Sequence, residues 1–313
     1  MAAISVQGLT KRFGEVLAVD RLDFEVDPGT VTGFLGPNGA GKTTTLRMLL
    51  GLVAPTSGAA TIDGRPYREL ADPARRVGAV LEQSGFHPGR SARDHLRVLA
   101  TTAGLAPARV DEVLEQTGLA AAARRRVGGF SLGMRQRLGL AAALLGDPDV
   151  LILDEPANGL DPEGMRWMRG LLRGFADRGG TVLLSSHLLG EVEAVADRMM
   201  IIDDGRIQAQ GTRAELLASS GTIVEADDLA GLDAAMRVAG LTTHAADGDR
   251  RLVEAEPEVV ARLAIANDIV LRRLAPAEET GLERLFLQLT AAGESAPSPK
   301  TDPLHRELAG ATA

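Results

Sequence analysis

Residues 31–44 have the sequence VTGFLGPNGAGKTT, in which a short apolar run leads into a glycine-rich loop and then into a helix-forming segment. From Gly36 to Thr43 the loop satisfies the pattern G-x-x-x-x-G-K-[S/T] at every fixed position. Glycines in such a loop let successive backbone N–H groups point inward around an anion, and the N-terminus of the following helix adds its partial positive charge. The stretch therefore predicts a strand, a phosphate-binding loop and a helix in direct succession.

The loop also carries the side chains that a nucleoside triphosphate requires. Lys42 provides a mobile positive charge for the β- and γ-phosphates, and the hydroxyl of Thr43 can bind Mg²⁺. Lysine is scarce in this chain, with three residues among 34 basic ones, so roughly one such sequence in a few hundred would match by chance. We therefore predict ATP and Mg²⁺ as ligands. The predicted nucleotide-binding residues of the loop are Gly36, Pro37, Asn38, Gly39, Ala40, Gly41, Lys42, Thr43 and Thr44.

A second apolar run, Val150–Leu153, ends in two acids, Asp154 and Glu155. An acid at the end of a buried strand can hold Mg²⁺ through water, and this is the role we predict for Asp154. Glu155 follows one position later, where a carboxylate can activate or orient the attacking water. Two acids after a strand also commonly begin a surface loop. Because the chain has a complete phosphate loop as well, the catalytic interpretation is favoured.

The composition narrows the class of protein. The chain has 313 residues, a net charge of −8 and 45% hydrophobic residues, which suits a globular protein of one or two domains. It has no cysteine, which excludes disulfides, thiolate catalysis and cysteine-bound metals. The acidic balance argues against nucleic acid as a partner. No window of about 18 apolar residues occurs and the N-terminus lacks a signal-peptide pattern, so we expect a cytoplasmic protein without a membrane span.

Apolar runs of strand length alternate with amphipathic helical segments up to about Gly211, and this order predicts a parallel sheet with helices on both faces. Helical patterns at 92–126 and 132–145 interrupt the alternation, and we expect a helical subdomain at about 84–147. Residues 222–274 follow the order strand, helix, strand, strand, helix, strand, which is the arrangement of ferredoxin-like domains. The predicted domains are 1–217, an accessory domain at 218–290 that ends in a helix at Leu282–Thr290, and a disordered tail at 291–313.

The order of motifs resembles the ATP-binding-cassette (ABC) family over about residues 3–213. The acidic pair is followed by the sequence ANGLD at 157–161, which is similar to the D-loop of the family. His187 follows the next apolar strand, at the place of the family's switch histidine. The segment FSLGMRQR at 130–137 lies where the family has its signature, just before a helix, and Phe13 looks like the aromatic that stacks on adenine.

This resemblance implies an α/β fold with a P-loop NTPase core, an N-terminal antiparallel β-subdomain and a helical subdomain, followed by the small α+β domain. It also implies a homodimer, or a pair of cassettes, in which each ATP lies between the phosphate loop of one copy and the signature of the other. Ser131 and Gly133 would bind the γ-phosphate across that interface, and Asp161 would also line the nucleotide. The implied catalytic residues are Lys42, Glu155 and His187, and the implied metal ligands are Thr43 and Asp154.

Two segments depart from the family pattern. The usual signature is LSGGQ, whereas this chain has FSLGM, with Leu132 and Met134 in place of a glycine and a glutamine. At the Q-loop, alignment places Glu82 at the position of the family's glutamine and Gln83 one residue later. A carboxylate at that position could ligate Mg²⁺ but would otherwise repel the phosphates, and a shift of one residue would bring the glutamine into place. The sequence leaves both residues as candidates.

The favoured function is that of an ATP-hydrolysing subunit that drives a separate, polytopic membrane permease. In that case the subunit would lie on the inner face of the membrane, bound through the permease. The chain, with its C-terminal extension, looks like the exporter branch that includes antibiotic-resistance and bacitracin-type systems. Two alternatives stay open at this stage, namely a soluble cassette ATPase that works on ribosomes or DNA, and a regulatory ATP-binding module.

Overall fold

The structure is a computed structural model of the chain. It describes residues 2–81, 85–218, 221–245, 250–253 and 255–276, together with residues 282, 286, 289 and 290. The chain divides into two compact units, Met1–Gln208 and Ala209–Ala292. Glu82 and Gln83 lie outside the described residues, as do most of the predicted last helix Leu282–Thr290 and all of the tail at 291–313.

The strands and helices follow the alternation that the sequence predicts. The strands are β1 (Ile4–Phe13), β2 (Val16–Val26), β3 (Val31–Leu35), β4 (Ser57–Ile62), β5 (Val77–Val80), β6 (Val150–Asp154), β7 (Thr181–Ser186), β8 (Arg198–Asp203), β9 (Arg206–Gly211), β10 (Thr222–Ala226), β11 (Thr243–Ala245), β12 (Arg250–Val253) and β13 (Leu271–Pro276). The helices are α1 (Lys42–Leu49), α2 (Pro73–Arg76), α3 (Ala92–Thr102), α4 (Arg109–Gln116), α5 (Leu132–Leu144), α6 (Pro162–Asp177), α7 (Leu189–Glu193), α8 (Arg213–Ala218), α9 (Leu229–Val238) and α10 (Pro257–Ala266).

A six-stranded sheet forms the centre of the first unit, with the strand order β5-β6-β7-β3-β8-β9. The pairs β5–β6, β6–β7, β7–β3 and β3–β8 are parallel, which confirms the predicted parallel sheet. Every residue of β3, β6 and β7 is buried. The uninterrupted apolar run Val150–Leu153 of β6 is what a strand covered on both faces requires.

A separate sheet of order β2-β1-β4 is antiparallel throughout, as the predicted N-terminal β-subdomain requires. Its strands alternate buried and exposed positions, since one face packs on the core and the other meets water. Ile4, Val6 and Phe24 share one hydrophobic cluster with Phe34 of β3. The cluster therefore joins the antiparallel sheet to the central sheet beneath the phosphate loop.

The helical block is more broken than the sequence indicates, because the predicted continuous helical pattern at 92–126 contains two separate helices. Gly104 and Gly118 have φ angles of 62° and 68°, in the left-handed region, and they follow the ends of α3 and α4. Such glycines end helices because a residue without Cβ adopts this conformation at little cost. Ser91 caps α3 by accepting a hydrogen bond from the N–H of Asp94.

The second unit holds a four-stranded sheet of order β11-β12-β10-β13, in which each neighbouring pair is antiparallel. With α9 after β10 and α10 after β12, this is the predicted ferredoxin-like arrangement. Val224 and Val253 of the sheet pack with Leu232, Met236 and Val260 of the two helices in one buried cluster. The sequence pattern did not predict β9, which is the last strand of the six-stranded sheet.

Candidate functional site: the phosphate loop and the ends of three strands

The phosphate loop lies between β3 and α1, and its glycines are required by close contacts. A Cβ on Gly36 would come within 2.3 Å of the carbonyl oxygen of Ile202, and a Cβ on Gly41 within 2.6 Å of that of Ala18. Gly39 and Gly41 also have φ angles of 89° and 102°, where other residues are strained. The loop can therefore keep its curled backbone only with glycine at these positions.

The N-terminus of α1 opens onto this loop. Gly41 is the N-cap residue and no side chain caps the helix, and the N–H of Thr45 makes the first hydrogen bond, to the carbonyl of Gly41. The N–H groups of Thr43 and Thr44, in the first turn, have no partner within the helix. Both residues are partly accessible. This arrangement suits an anion, which accepts such N–H groups and is favoured by the helix dipole.

Lys42 is buried, with 6% of its side chain exposed, and its ammonium group lies among acceptors. Nζ donates to the carbonyl oxygen of Gly36 at 2.6 Å and to that of Pro37 at 3.2 Å, and it lies 3.4 Å from Oε1 of Glu155. A buried cation needs such partners, because its removal from water is otherwise costly. The contact joins the phosphate loop to the acid that follows β6.

The strand register brings three sequence motifs to one edge of the sheet. Asp154 of β6 pairs with Ser185 of β7, and Leu35 of β3 pairs with Ser186. In a parallel sheet the carboxyl ends of the strands meet at one edge, which is where ligands bind in open α/β sheets. The motifs that follow β3, β6 and β7 are therefore neighbours, although the first is more than 100 residues from the other two in sequence.

One carboxylate oxygen of Asp154 accepts a hydrogen bond, and the other has no partner among the described residues. Asp154 is 1% exposed, its Oδ1 accepts a hydrogen bond from the hydroxyl of Ser185 at 2.6 Å, and no described donor satisfies the buried Oδ2. Buried polar atoms are nearly always paired, so this orphan oxygen needs an explanation. A carboxylate oxygen at the phosphate-binding edge is a suitable ligand for Mg²⁺, directly or through water, and the donor set thus fits this metal.

Glu155 lies between two other candidate residues. Its Oε2 is 2.9 Å from Nδ1 of His187, while Oε1 faces Lys42, and the side chain is 8% exposed. Its φ angle of 48° places a non-glycine residue in the left-handed region, a conformation that commonly marks functional positions. The structure thus brings together Lys42, Glu155 and His187, the three residues predicted to be catalytic.

Glu191 in α7 is a nearby acid that the sequence analysis missed. Its Oε2 accepts a hydrogen bond from the hydroxyl of Ser186 at 3.1 Å, and the same hydroxyl accepts one from the N–H of Leu188. Burial raises the pKa of Glu191, the hydrogen bond from Ser186 partly offsets this, and the nearby Glu155 adds to the rise. Its position four residues after His187, at a helix start, is the signal that could have identified it.

Substitution of Glu191 tests this environment. A carboxyl group with a raised pKa in the folded state stabilises the fold below its ordinary value of 4.5 and loses that contribution as the pH rises through the folded-state pKa. Glu191→Gln keeps an acceptor for Ser186 but cannot ionise. We therefore expect the variant to gain stability relative to the wild type as the pH rises from 4 towards 8, measured as the difference between urea midpoints. Glu163→Gln, at an exposed acid of α6, is the control for the loss of a carboxylate.

The predicted signature residues, Ser131 and Gly133, lie at the start of α5. Ser131 is the N-cap of α5, and its hydroxyl accepts a hydrogen bond from the N–H of Met134 at 3.3 Å. Asp161 is likewise the N-cap of α6 and accepts from the N–H of Gly164 at 2.7 Å. Both residues are exposed. Their polar groups therefore face solvent at two helix N-termini.

Phe13 ends β1 and is partly exposed, with Nζ of Lys11 4.7 Å from the centre of its ring. A ring that carries a cation on one face can still offer a face to a base. The two Q-loop candidates, Glu82 and Gln83, lie outside the described residues. Within the part of the chain that the structure describes, no helix combines the length and apolar character needed to cross a bilayer.

Comparisons with known proteins agree with this site. A family profile described as "ABC transporter" matches residues 19–158. The bacitracin transport ATP-binding protein BcrA of Bacillus licheniformis is 46% identical over 207 residues, covering 65% of this chain and 68% of that protein. The Nod factor export ATP-binding protein I of Paraburkholderia xenovorans is 39% identical over 306 residues, which cover 92% of this chain and 97% of that protein. The daunorubicin resistance ATP-binding protein DrrA3 of Streptomyces coeruleorubidus is 39% identical over 311 residues, which cover 92% of this chain and 96% of that protein.

Solved structures agree on the fold. An ATP-binding subunit of an ABC transporter superposes with a TM-score of 0.63 at 28% identity, covering 68% of this chain and 91% of that one. A dimeric ATP-binding cassette in a post-hydrolysis state, bound to ADP and phosphate, superposes with a TM-score of 0.61 at 24% identity, covering 67% and 98%. These findings disfavour the soluble and regulatory alternatives. The chain belongs to the ABC transporter family and is an ATP-binding subunit that hydrolyses ATP.

Proposed function

We propose that this chain energises export by a separate membrane permease, and that two copies of it close around two ATP molecules. The observation that carries the catalytic part is the cluster of Lys42, Glu155 and His187, in which the acid lies within 3.4 Å of the lysine and 2.9 Å of the histidine. The three side chains come from three different motifs. A cluster of this kind beside a phosphate loop suits hydrolysis of the terminal phosphate of a nucleotide.

The phosphate loop binds the triphosphate. N–H groups from the first turn of α1 surround the phosphate oxygens, and Lys42 exchanges its carbonyl partners for the β- and γ-phosphates. The partly exposed ring of Phe13 stacks on the adenine. The glycine-specific contacts at Gly36 and Gly41 support this role, because a Cβ at either position would collide with neighbouring backbone.

Thr43 and Asp154 hold the Mg²⁺ that accompanies ATP. The unpartnered Oδ2 of Asp154 supports this assignment, as does the N-terminal position of Thr43 in α1. When bound, Mg²⁺ neutralises charge on the phosphate oxygens. Sites of this kind use one or two protein ligands and complete the coordination with phosphate and water, so these two residues suffice.

Glu155 is the general base in this proposal, and His187 holds it in position. Glu155 accepts the proton of the attacking water, for which a carboxylate within hydrogen-bonding reach is suited. The hydrogen bond from the imidazole to Oε2 fixes the carboxylate while Lys42 moves to the phosphates. His187 is about one-third exposed, which leaves part of its ring accessible to a bound nucleotide.

The second copy completes each nucleotide site. Ser131 and Gly133 contribute a hydroxyl and the N-terminus of the 13-residue helix α5 to the γ-phosphate on the partner, and Asp161 adds the exposed end of the 157–161 loop. The exposure of Ser131 and Asp161 supports such an interface. The existence of a solved dimeric cassette with the same fold is consistent with it.

Association with a permease can be tested without knowledge of the transported substrate. The tagged chain, expressed in its native host and purified from detergent-solubilised membranes, is expected to carry along a polytopic membrane protein identified by mass spectrometry. Its ATPase rate should change several-fold when this partner is reconstituted in liposomes. A rate that is insensitive to every membrane protein recovered would contradict the transport part of the proposal and leave ATP hydrolysis intact.

A further inference from the structure

Leu132, which stands where the family signature has a glycine, packs against the 157–161 loop. It is the first residue of α5, and its side chain is 56% exposed. The remainder lies over Gly159 so closely that a Cβ on Gly159 would come within 2.0 Å of Cδ2 of Leu132. Gly159 also has a φ angle of 76°, so its position suits glycine for two reasons. The leucine therefore occupies space that this glycine leaves open.

Two neighbouring residues of α5 contact the same loop. A Cβ on Gly133 would lie 3.4 Å from Cδ2 of Leu160, an ordinary contact distance. Nε2 of Gln136 donates to the carbonyl oxygen of Asn158 at 3.2 Å. The first five residues of α5 thus meet the loop through apolar packing, a close backbone approach and a hydrogen bond. These contacts form a continuous surface between the signature and the loop.

The loop is in turn connected to Glu155 and to α6. The N–H of Asn158 donates to the carbonyl of Glu155 at 3.2 Å, and the N–H of Leu160 to that of Ala157 at 3.0 Å, which makes the segment compact. On the other side, the guanidinium of Arg137 in α5 lies 4.0 Å from the ring of Trp167 in α6. The loop is thus held compact next to Glu155, and α5 has a further contact with α6.

We infer that Leu132 is a positioning residue that makes the signature and the catalytic acid of one chain move together. This rests on the proposed two-copy arrangement, in which Ser131 acts on the nucleotide of the partner while Glu155 acts on the nucleotide of its own chain. Leu132 joins the two through the 157–161 loop. The contact therefore couples the two ATP sites.

The test compares Leu132→Ala with Leu132→Met, which preserves volume, and with Leu52→Ala, which removes a leucine of similar exposure elsewhere in the chain. For Leu132→Ala we expect kcat to fall about tenfold, since small displacements of catalytic groups have effects of this order or larger. The Hill coefficient for ATP should fall towards 1. The affinity of the isolated chain for a fluorescent ATP analogue should stay within twofold, and Leu132→Met should restore both kcat and the Hill coefficient.

Trp167 provides a direct readout, because it is the only tryptophan of the chain. Loosening of α5 in Leu132→Ala is expected to weaken the contact between Arg137 and Trp167, so acrylamide should quench the tryptophan emission more strongly even without nucleotide.

A second variant tests the contact between Leu132 and Gly159. Gly159→Ala should lower kcat strongly in the wild-type background and less in the Leu132→Ala background, since the collision with Cδ2 is then absent.

Unchanged kcat, Hill coefficient and quenching in Leu132→Ala would overturn the inference, as would equal losses from Gly159→Ala in both backgrounds. Glu155→Gln, in which Leu132 is unchanged, distinguishes a failure of this inference from a failure of the proposed function. If ATP does not dimerise Glu155→Gln, the two-copy proposal is wrong and the inference falls with it. If it does dimerise while Leu132→Ala behaves as wild type, only the inference is wrong.

Discussion

Lys42→Ala is expected to weaken ATP binding by roughly 100-fold or more, because hydrogen bonds from a charged donor to the β- and γ-phosphates contribute about 1.5–3 kcal/mol each. The alanine retains the loop backbone, so the remaining affinity would come from N–H groups of the loop and from α1. Isothermal titration calorimetry of the purified chain measures the change directly. A dissociation constant within threefold of the wild type would contradict the assigned role.

The same substitution has a second expected effect, on the nucleotide-free protein. Glu155 is 8% exposed, and the alanine would remove the cation that lies 3.4 Å from it. Removal of one partner from a buried pair typically costs about 3–5 kcal/mol. We expect chemical denaturation of Lys42→Ala to show a loss of this order, and Glu155→Gln added to it should recover part of the loss because the buried side chain that faced the lysine is then neutral.

Arg76→Ala is the matched control for charge removal in Lys42→Ala. Arg76 pairs with Asp149, and both side chains are more than half exposed. An exposed pair of this kind contributes little to stability, because water and salt screen it. This control should leave ATP affinity unchanged and should shift the free energy of unfolding only slightly, which separates the effect of the buried site from the general effect of a lost cation.

Glu155→Gln is expected to lower the ATPase rate by about 10² to 10⁴-fold, the usual contribution of a general base. The side chains are nearly the same size, so the contact with His187 can persist while the ability to accept a proton is lost. ATP binding should survive, and the ATP-bound dimer should accumulate because closure depends on the γ-phosphate. Phosphate release and size-exclusion chromatography with light scattering measure the two effects.

Asp149→Asn, at an exposed carboxylate just before β6, is the control for Glu155→Gln. It should hydrolyse ATP at the wild-type rate and should not trap a dimer. Robust turnover by Glu155→Gln would assign the base to another group. A monomer in the presence of ATP, with turnover lost, would support the catalytic role and contradict the proposed sandwich.

The local features of the site were predictable from sequence because each is encoded within a few residues. The phosphate loop follows from glycine spacing, and the strand that carries Asp154 follows from its apolar run. The break between α3 and α4 was not predicted, although Gly104 and Pro107 lie between them and are residue types that commonly end or begin helices. The roles of the individual site residues stay predictions that the variants above test.

The sequence by itself determined the strand–loop–helix unit at 31–49, the acidic end of the second apolar run and the order of the motifs. These depend on backbone conformation and burial along a short stretch of chain. Only the tertiary structure decided that Lys42, Glu155 and His187 meet, because this depends on the order of β6, β7 and β3 in the sheet and on their register. The same holds for Leu132 and Gly159, since no periodicity in a sequence encodes which distant side chain fills the space above a glycine.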